Sequence, residues 1–242
     1  MKCLITDAVY PGIAEELSRY IDVATTEGRP LSKAEMIEKI GEYDILIMRV
    51  DPKIDREILD AAKNLKMIGV CAVGTNHIDM EYAKEKGIEV FNAPGMNANA
   101  VAELSIAKML EISRNTIPAN YDVKVNHNWD KYKFVGRELR GKTLGIMGFG
   151  RIGRRGGIVN EQDMYEALKE GRIGGYAADV LENELAGSGL TGNDEFVNPL
   201  FECDNFIITP HLGAQSEDAA RDVGIYITGK VKDMLGLNKE EV

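Results

Sequence analysis

The sequence predicts an α/β protein: a flavodoxin-like doubly wound parallel sheet followed by a smaller second unit. Three observations carry that expectation. Continuous apolar runs alternate with helical stretches through the first hundred residues, the pattern of parallel strands covered on both faces. A later apolar run containing Leu144, Ile146 and Met147 leads straight into Gly148-Phe149-Gly150-Arg151-Ile152-Gly153, a glycine turn of the kind that joins strand to helix. Finally, an aliphatic and aromatic content of 44% over 242 residues suits one large folded domain or two small ones.

Taken in order, Cys3–Thr6 reads as a strand and Pro11–Tyr20 as a helix with proline in its first turn. Val23–Thr25 is a short strand. Ser32-Lys33-Ala34-Glu35 is a capping box opening a helix to about Tyr43. Ile45–Val50 is an apolar strand interrupted by Arg49. Asp55 caps a helix through Leu59 and Ala62, and Leu65–Val73 is the fourth strand. A helix near Ile78–Glu85 ends at Gly87, and Ile88–Phe91 is the fifth strand. Asn99 is expected to cap a long helix with Val101, Leu104, Ala107 and Leu110 on one face. Glu111–Gly141 is polar but carries Trp129, Tyr132 and Phe134; on its residues alone it reads as a loosely packed loop. Beyond the glycine turn, Asn160 caps a helix with Tyr165 and Leu168 on one face and Gly171 at its end. Ile173–Val180 and Phe206–Thr209 are strands, the latter stopped by Pro210 and His211. Ser216 caps a last helix that turns Val223, Ile227, Val231 and Leu235 inward.

A net charge of −10 argues against nucleic acid or an anionic membrane as partner. A small anion needs only a local basic site and is not excluded. Cys3, Cys71 and Cys203 are widely spaced without a C-x-x-C, so neither a disulfide framework nor a metal site is expected. MKCLITDAVY is too short and polar for a signal peptide, and no apolar run reaches spanning length, so the expected compartment is the cytoplasm. The chain ends at Val242 soon after the last helix, and no regulatory domain is expected beyond it.

In doubly wound sheets, ligands sit beyond the carboxyl ends of the strands. Arg49 ends the third strand, Val73-Gly74-Thr75-Asn76 follows the fourth, and Asn92-Ala93-Pro94-Gly95 follows the fifth. An arginine fork matches a carboxylate, and Gly74 lets backbone amides approach an anion. A surface ion pair and an ordinary turn are the alternative readings of each alone. Together, on one sheet edge, they favour a carboxylate site. His77 reads as structural, a polar residue opening a helix.

GKTLGIMGFGRIG resembles the cofactor loop of the D-isomer-specific 2-hydroxyacid dehydrogenases, and RGGIVNEQDMYEALKEGRIGGYAADV resembles a later block of that family beginning at its catalytic arginine. VCAVGTNHID and NAPGMNANAVAE are similar to its substrate-loop and hinge segments, nearer to phosphoglycerate dehydrogenases than to D-lactate dehydrogenases. The resemblance runs from about Met1 to about Leu235. It implies NAD as cofactor and a small 2-hydroxy or 2-oxo acid as substrate. Gly148, Gly150, Arg151, Ile152, Gly153 and Asp179 would bind the cofactor; Arg49, Val73, Gly74, Thr75 and Asn76 the substrate; Arg155, Glu184 and His211 would carry the chemistry. It further implies a discontinuous substrate domain, residues 1–98 with 213–242, and a dinucleotide-binding domain, residues 99–212. Residues 111–141 would be an arm pairing two subunits into a homodimer. In the family several strand–helix units separate the two blocks, whereas here Arg154 and Arg155 adjoin. The implied Rossmann half is therefore truncated and lacks the family's ribose-binding acid. Leu185 also replaces the proline that usually follows the family's glutamate.

The implied chemistry moves a hydride between nicotinamide and an oxygen-bearing carbon, so a proton must move on that oxygen. A histidine titrating near neutrality suits that step, a neighbouring carboxylate stabilises its imidazolium, and an arginine clamps the substrate carboxylate. Two functional classes stay open. One is an NAD-dependent D-2-hydroxyacid dehydrogenase, with a 3-phosphoglycerate-like substrate as first choice. The other is a non-catalytic remnant whose intact sheet binds a carboxylate or assembles, with a cofactor half too short to bind NAD.

Overall fold

The computed structural model describes residues 1–142, 160–181 and 197–237. The chain divides into two compact units, Met1–Asn97 with Ser216–Val242, and Ala98–Gln215.

In the first unit β1 (Lys2–Ile5), β2 (Asp22–Thr25), β3 (Ile45–Met48), β4 (Met67–Val70) and β5 (Glu89–Asn92) form one sheet. All pairs are parallel and the order is β2-β1-β3-β4-β5, the flavodoxin-like arrangement predicted. Alternation along the strands sends residues to opposite faces. Leu4, Leu46, Met48, Ile68 and Val70 pack with α2 (Lys33–Ile40), α3 (Arg56–Ala61) and α4 (Met80–Glu85) through Met36, Ile40, Ile58, Leu59 and Ala83. Cys3, Ile5, Ile45, Ile47 and Met67 face the other way, under α1 (Gly12–Leu17) and α8 (Glu217–Met234), which contribute Ile13, Leu17, Ile227 and Val231. Gly69 permits that second layer: a Cβ there would stand 3.2 Å from Ile227 Cγ2 and from the Phe91 ring.

The three caps read from the sequence in this unit are present. Ser32 and Glu35 form the capping box, Asp55 accepts from Ile58 N at 3.2 Å, and Ser216 accepts from Ala219 N at 3.1 Å. Two strands stop earlier than their apolar runs suggest, at Met48 and Val70 rather than Val50 and Val73. For β3 the cause is Asp7, whose Oδ2 accepts from Val50 N at 3.1 Å and Asp51 N at 3.4 Å. Those amides point at a carboxylate instead of a neighbouring strand.

The second unit holds α5 (Ala98–Arg114), α6 (Thr116–Lys124), α7 (Glu161–Lys169), β6 (Tyr176–Ala178) and β7 (Phe206–Ile208), with a 3₁₀ turn at Pro199–Glu202. Among the described residues β6 and β7 form a two-stranded parallel sheet. Its core is Leu168, Ala178, Leu181, Leu200 and Cys203, with Tyr165, Tyr176 and Phe206 packed against it. Asn160 caps α7 by accepting from Asp163 N at 2.9 Å.

Two expectations for α5 need correction. Asn99 lies inside its first turn, since the helix begins at Ala98. Its inward face is also rotated: Ala107 and Leu110 are exposed, whereas Lys108 is 6% exposed. Ile112, one turn on, presses on Gly175, where a Cβ would lie 2.7 Å from its Cδ1. The Nζ of buried Lys108 meets Glu111 Oε2 at 3.5 Å.

The polar arm contains α6, preceded by Asn115 in the left-handed region (φ 54°). Buried Asp122 closes the following turn, accepting from Asn126 Nδ2 at 2.8 Å, Asn128 Nδ2 at 2.9 Å and Lys133 Nζ at 3.0 Å. Trp129, Tyr132 and Val135 beyond it are exposed. Cys3, Cys71 and Cys203 are free thiols. Among the described residues no group of His, Cys, Asp and Glu could hold a metal ion, and no helix is long and apolar enough to cross a membrane.

Candidate functional site

In the first unit the predicted substrate residues stand at the carboxyl edge of the sheet. Met48 pairs with Val70, so Arg49 and the segment from Cys71 to Asn76 leave adjacent strands side by side. Arg49 is half-buried, and its positive charge acts on the Cys71 thiol, which burial nonetheless pushes up to about 12. The Val73–Asn76 loop is held by Asn92 Nδ2, which donates to Val73 O at 2.5 Å, and by Ile78 N, which donates to Thr75 O at 3.0 Å. Gly74 is exposed, and a Cβ there would lie 3.1 Å from Asn76 Oδ1. The backbone at Gly74 is therefore exposed beside the Asn76 side chain.

Sequence reasoning passed over Asp7 at this edge. It lies two residues past β1, takes φ 71°, and aims its carboxylate at the backbone after β3. Aspartate tolerates that region better than most residues. Its position just past an apolar strand was the signal available. The carbonyl of His77 accepts from Ile54 N at 2.8 Å, and burial lowers its ring pKa.

An open cleft of about 570 Å³ lies alongside, lined by Lys33, Lys53, Asp55, Arg56, Asn76 and Asp79 among others. Of the predicted substrate residues it includes Asn76 alone. Its cations are largely committed: Lys33 meets Asp55 at 2.6 Å and Glu57 at 2.7 Å, and Arg56 meets Asp79 at 3.3 Å. Such a self-neutralised surface attracts an anion poorly.

In the second unit, Asp179 follows β6 and His211 follows β7, and the two strands pair Ala178 with Ile208. Asp179 Oδ1 accepts from Thr209 Oγ1 at 2.5 Å and Leu212 N at 2.8 Å, and Oδ2 accepts from Gly213 N at 2.7 Å. His211 N donates to both Asp179 O and Thr209 O at 2.9 Å. His211 adopts φ 54°, uncommon for a residue with a β-carbon. Gly148, Gly150, Arg151, Ile152, Gly153, Arg155 and Glu184 lie outside the described residues. Of the residues expected to hold NAD, Asp179 alone lies among the described residues. With one donor on Oδ2, its carboxylate keeps capacity for a further N–H, so it fits a carboxamide contact.

The described residues bring two sets of polar groups to the carboxyl ends of parallel strands, as α/β ligand-binding proteins have. Comparison with known proteins gives the family. The family described as "D-isomer specific 2-hydroxyacid dehydrogenase, catalytic domain" matches residues 3–240. The chain belongs to that family. A D-3-phosphoglycerate dehydrogenase of Methanocaldococcus jannaschii is 31% identical over 313 aligned positions, covering 97% of this chain and 57% of the relative. That alignment is longer than the 242-residue chain, so the relative carries residues this chain lacks. A hydroxypyruvate reductase of Thermotoga maritima is 30% identical over 281 positions, covering 86% of this chain and 90% of the relative. The chain spans 57% of the length of both archaeal phosphoglycerate dehydrogenases that it matches. The fold recurs in D-lactate dehydrogenase of Aquifex aeolicus, solved with NAD and lactic acid (TM-score 0.75, 20% identity, 98% of this chain and 96% of that one). It recurs also in a D-lactate dehydrogenase of Treponema pallidum (TM-score 0.79, 18% identity, 98% and 97%).

Proposed function

We propose that the chain is an NAD-dependent oxidoreductase acting on the CH–OH group of a D-2-hydroxy acid in the cytoplasm, with a 3-phosphoglycerate-like acid as first candidate. The observation that carries this reading is His211, set at the carboxyl end of β7 beside Asp179 in a chain whose family match runs over residues 3–240. The bound cofactor would supply or receive the hydride. His211 exchanges the proton on the substrate oxygen, and Glu184 stabilises the imidazolium. Arg155 clamps the substrate carboxylate, and Arg49 with the Val73, Gly74, Thr75 and Asn76 backbone holds the remainder of the anion. Gly148, Gly150, Arg151, Ile152 and Gly153 would hold the pyrophosphate, and Asp179 the nicotinamide end. Residues 1–98 with 213–242 supply the substrate groups, residues 99–212 the cofactor and proton-transfer groups, and the 111–141 arm pairs two chains.

NADH titration by calorimetry, on protein of confirmed intact mass, tests this directly. Micromolar binding is expected, with turnover of a 2-oxo acid that His211→Ala lowers by about 10²-fold or more. Absence of binding from a cooperatively melting chain would overturn it. A second reading draws on the two-stranded β6–β7 sheet and on the residues that the relatives have and this chain lacks. It makes the chain a non-catalytic remnant, truncated between Arg154 and Arg155, whose first unit binds a carboxylate. It predicts anion binding that needs Arg49 and ignores the nicotinamide cofactor.

A further inference from the structure

Four groups within five residues converge on Asp179. Its side chain accepts from Thr209 Oγ1, Leu212 N and Gly213 N, and its backbone carbonyl accepts from His211 N. The absence of a side chain on Gly213 eases this approach. A Cβ there would lie 3.0 Å from Asp179 Oδ2 and 3.2 Å from Val101 Cγ2 of α5. The loop is thus pinched between a carboxylate and a helix, and His211 sits at its apex in a left-handed conformation.

We infer that Asp179 is chiefly a positioning residue, a carboxylate clamp that holds the Thr209 hydroxyl before His211 and the Leu212 and Gly213 amides after it, and so aims its imidazole. Three of the four bonds flank His211 in sequence and the fourth is its own amide. A residue held at positive φ relaxes unless its neighbours over-determine it, and charge-assisted bonds to two successive amides do so. A carboxylate whose Oδ1 already carries two donors and whose Oδ2 carries one is a poor candidate for a role confined to the cofactor.

The inference rests on the reading of His211 as the proton-transfer group, but its test does not need turnover. Amide hydrogen exchange on the ¹⁵N-labelled full chain compares the unsubstituted protein with Asp179→Ala, Asp179→Asn and Thr209→Val. Asp179→Ala is expected to speed exchange at Leu212 and Gly213 by about tenfold or more, while Ile207 in β7 changes less than about twofold. Asp179→Asn, which keeps one acceptor, falls between, and Thr209→Val moves the loop amides least. If Asp179→Ala does not fold, Asp179→Asn decides. Unchanged exchange at Leu212 and Gly213 overturns the clamp.

A second measurement separates clamp from cofactor contact. For Asp179→Asn, which still offers a carbonyl oxygen to the nicotinamide end, a clamp predicts an NADH Kd that shifts less than kcat does, and a moved histidine limb in the kcat pH profile. A Kd weakened by tenfold with intact loop protection would instead make Asp179 a cofactor contact. Should the unsubstituted chain bind no NADH, the dehydrogenase reading fails and the exchange data alone judge the clamp.

Discussion

Asp122 shows how one side chain organises a stretch that has little core of its own. Asn126, then Lys133, hold its carboxyl below the usual carboxylate range. A carboxyl whose folded pKa is depressed contributes stability in full above its unfolded value. That contribution is lost as pH falls through the folded value. Fluorescence anisotropy of Trp129, the only tryptophan, should therefore stay level from neutrality to about pH 5 and drop below about pH 4. In Asp122→Asn, which cannot ionise, it should be lower throughout and independent of pH. Residues of this kind were the least legible in the sequence. Arg49 stood out because it interrupts an apolar run, and His211 because a strand and a proline precede it. Asp7, Asp122 and Lys108 carry their roles through backbone amides and burial that spacing alone does not display. Lys108 defeated the periodic reading of α5 outright, because an aliphatic stem can occupy a buried position that a hydropathy pattern reserves for leucine.

Strands and caps were legible for a physical reason: a strand buried on both faces has no polar position to disguise it, and Ser32, Asp55, Asn160 and Ser216 cap through side-chain oxygens that no other residue types supply as well. Strand ends were not, since Val50 and Val73 are apolar yet exposed. At this scale the packing of α1 against α8 turns on two glycines. A Cβ on Gly12 would meet the Tyr10 ring, and one on Gly224 would stand 2.7 Å from Tyr10 Cδ1 and 2.9 Å from its Cβ. Tyr10 thus wedges between the two helices. Gly224→Ala should destabilise the chain by about 1–3 kcal/mol in urea denaturation, since overpacking forces a shift of side chain or backbone. If the clash with Tyr10 is the cause, Tyr10→Ala in the same chain should recover much of that loss, and the two effects will not add. Simple additivity would place the cost elsewhere, in the backbone of α8 itself.

For the molecule as a whole, the exposed Trp129, Tyr132 and Val135 make the arm the surface on which a second copy would be expected to settle. Sedimentation velocity should then show a dimer, and Trp129→Ala with Tyr132→Ala should weaken it by about tenfold or more. Two chains of charge −10 repel, so added salt should tighten the association rather than loosen it. A chain that sediments as a monomer at every salt concentration would leave the arm without that role. The first unit also has a consequence in time. Its sheet begins with Lys2, yet one face is completed by Ile227 and Val231, which follow the whole second unit in sequence. Between the two, the whole of Ala98–Gln215 is synthesised. The nascent protein therefore carries Ile45, Ile47 and Met67 under an incomplete cover while more than a hundred further residues emerge. Its demand on chaperones is set by the order of translation as much as by final stability.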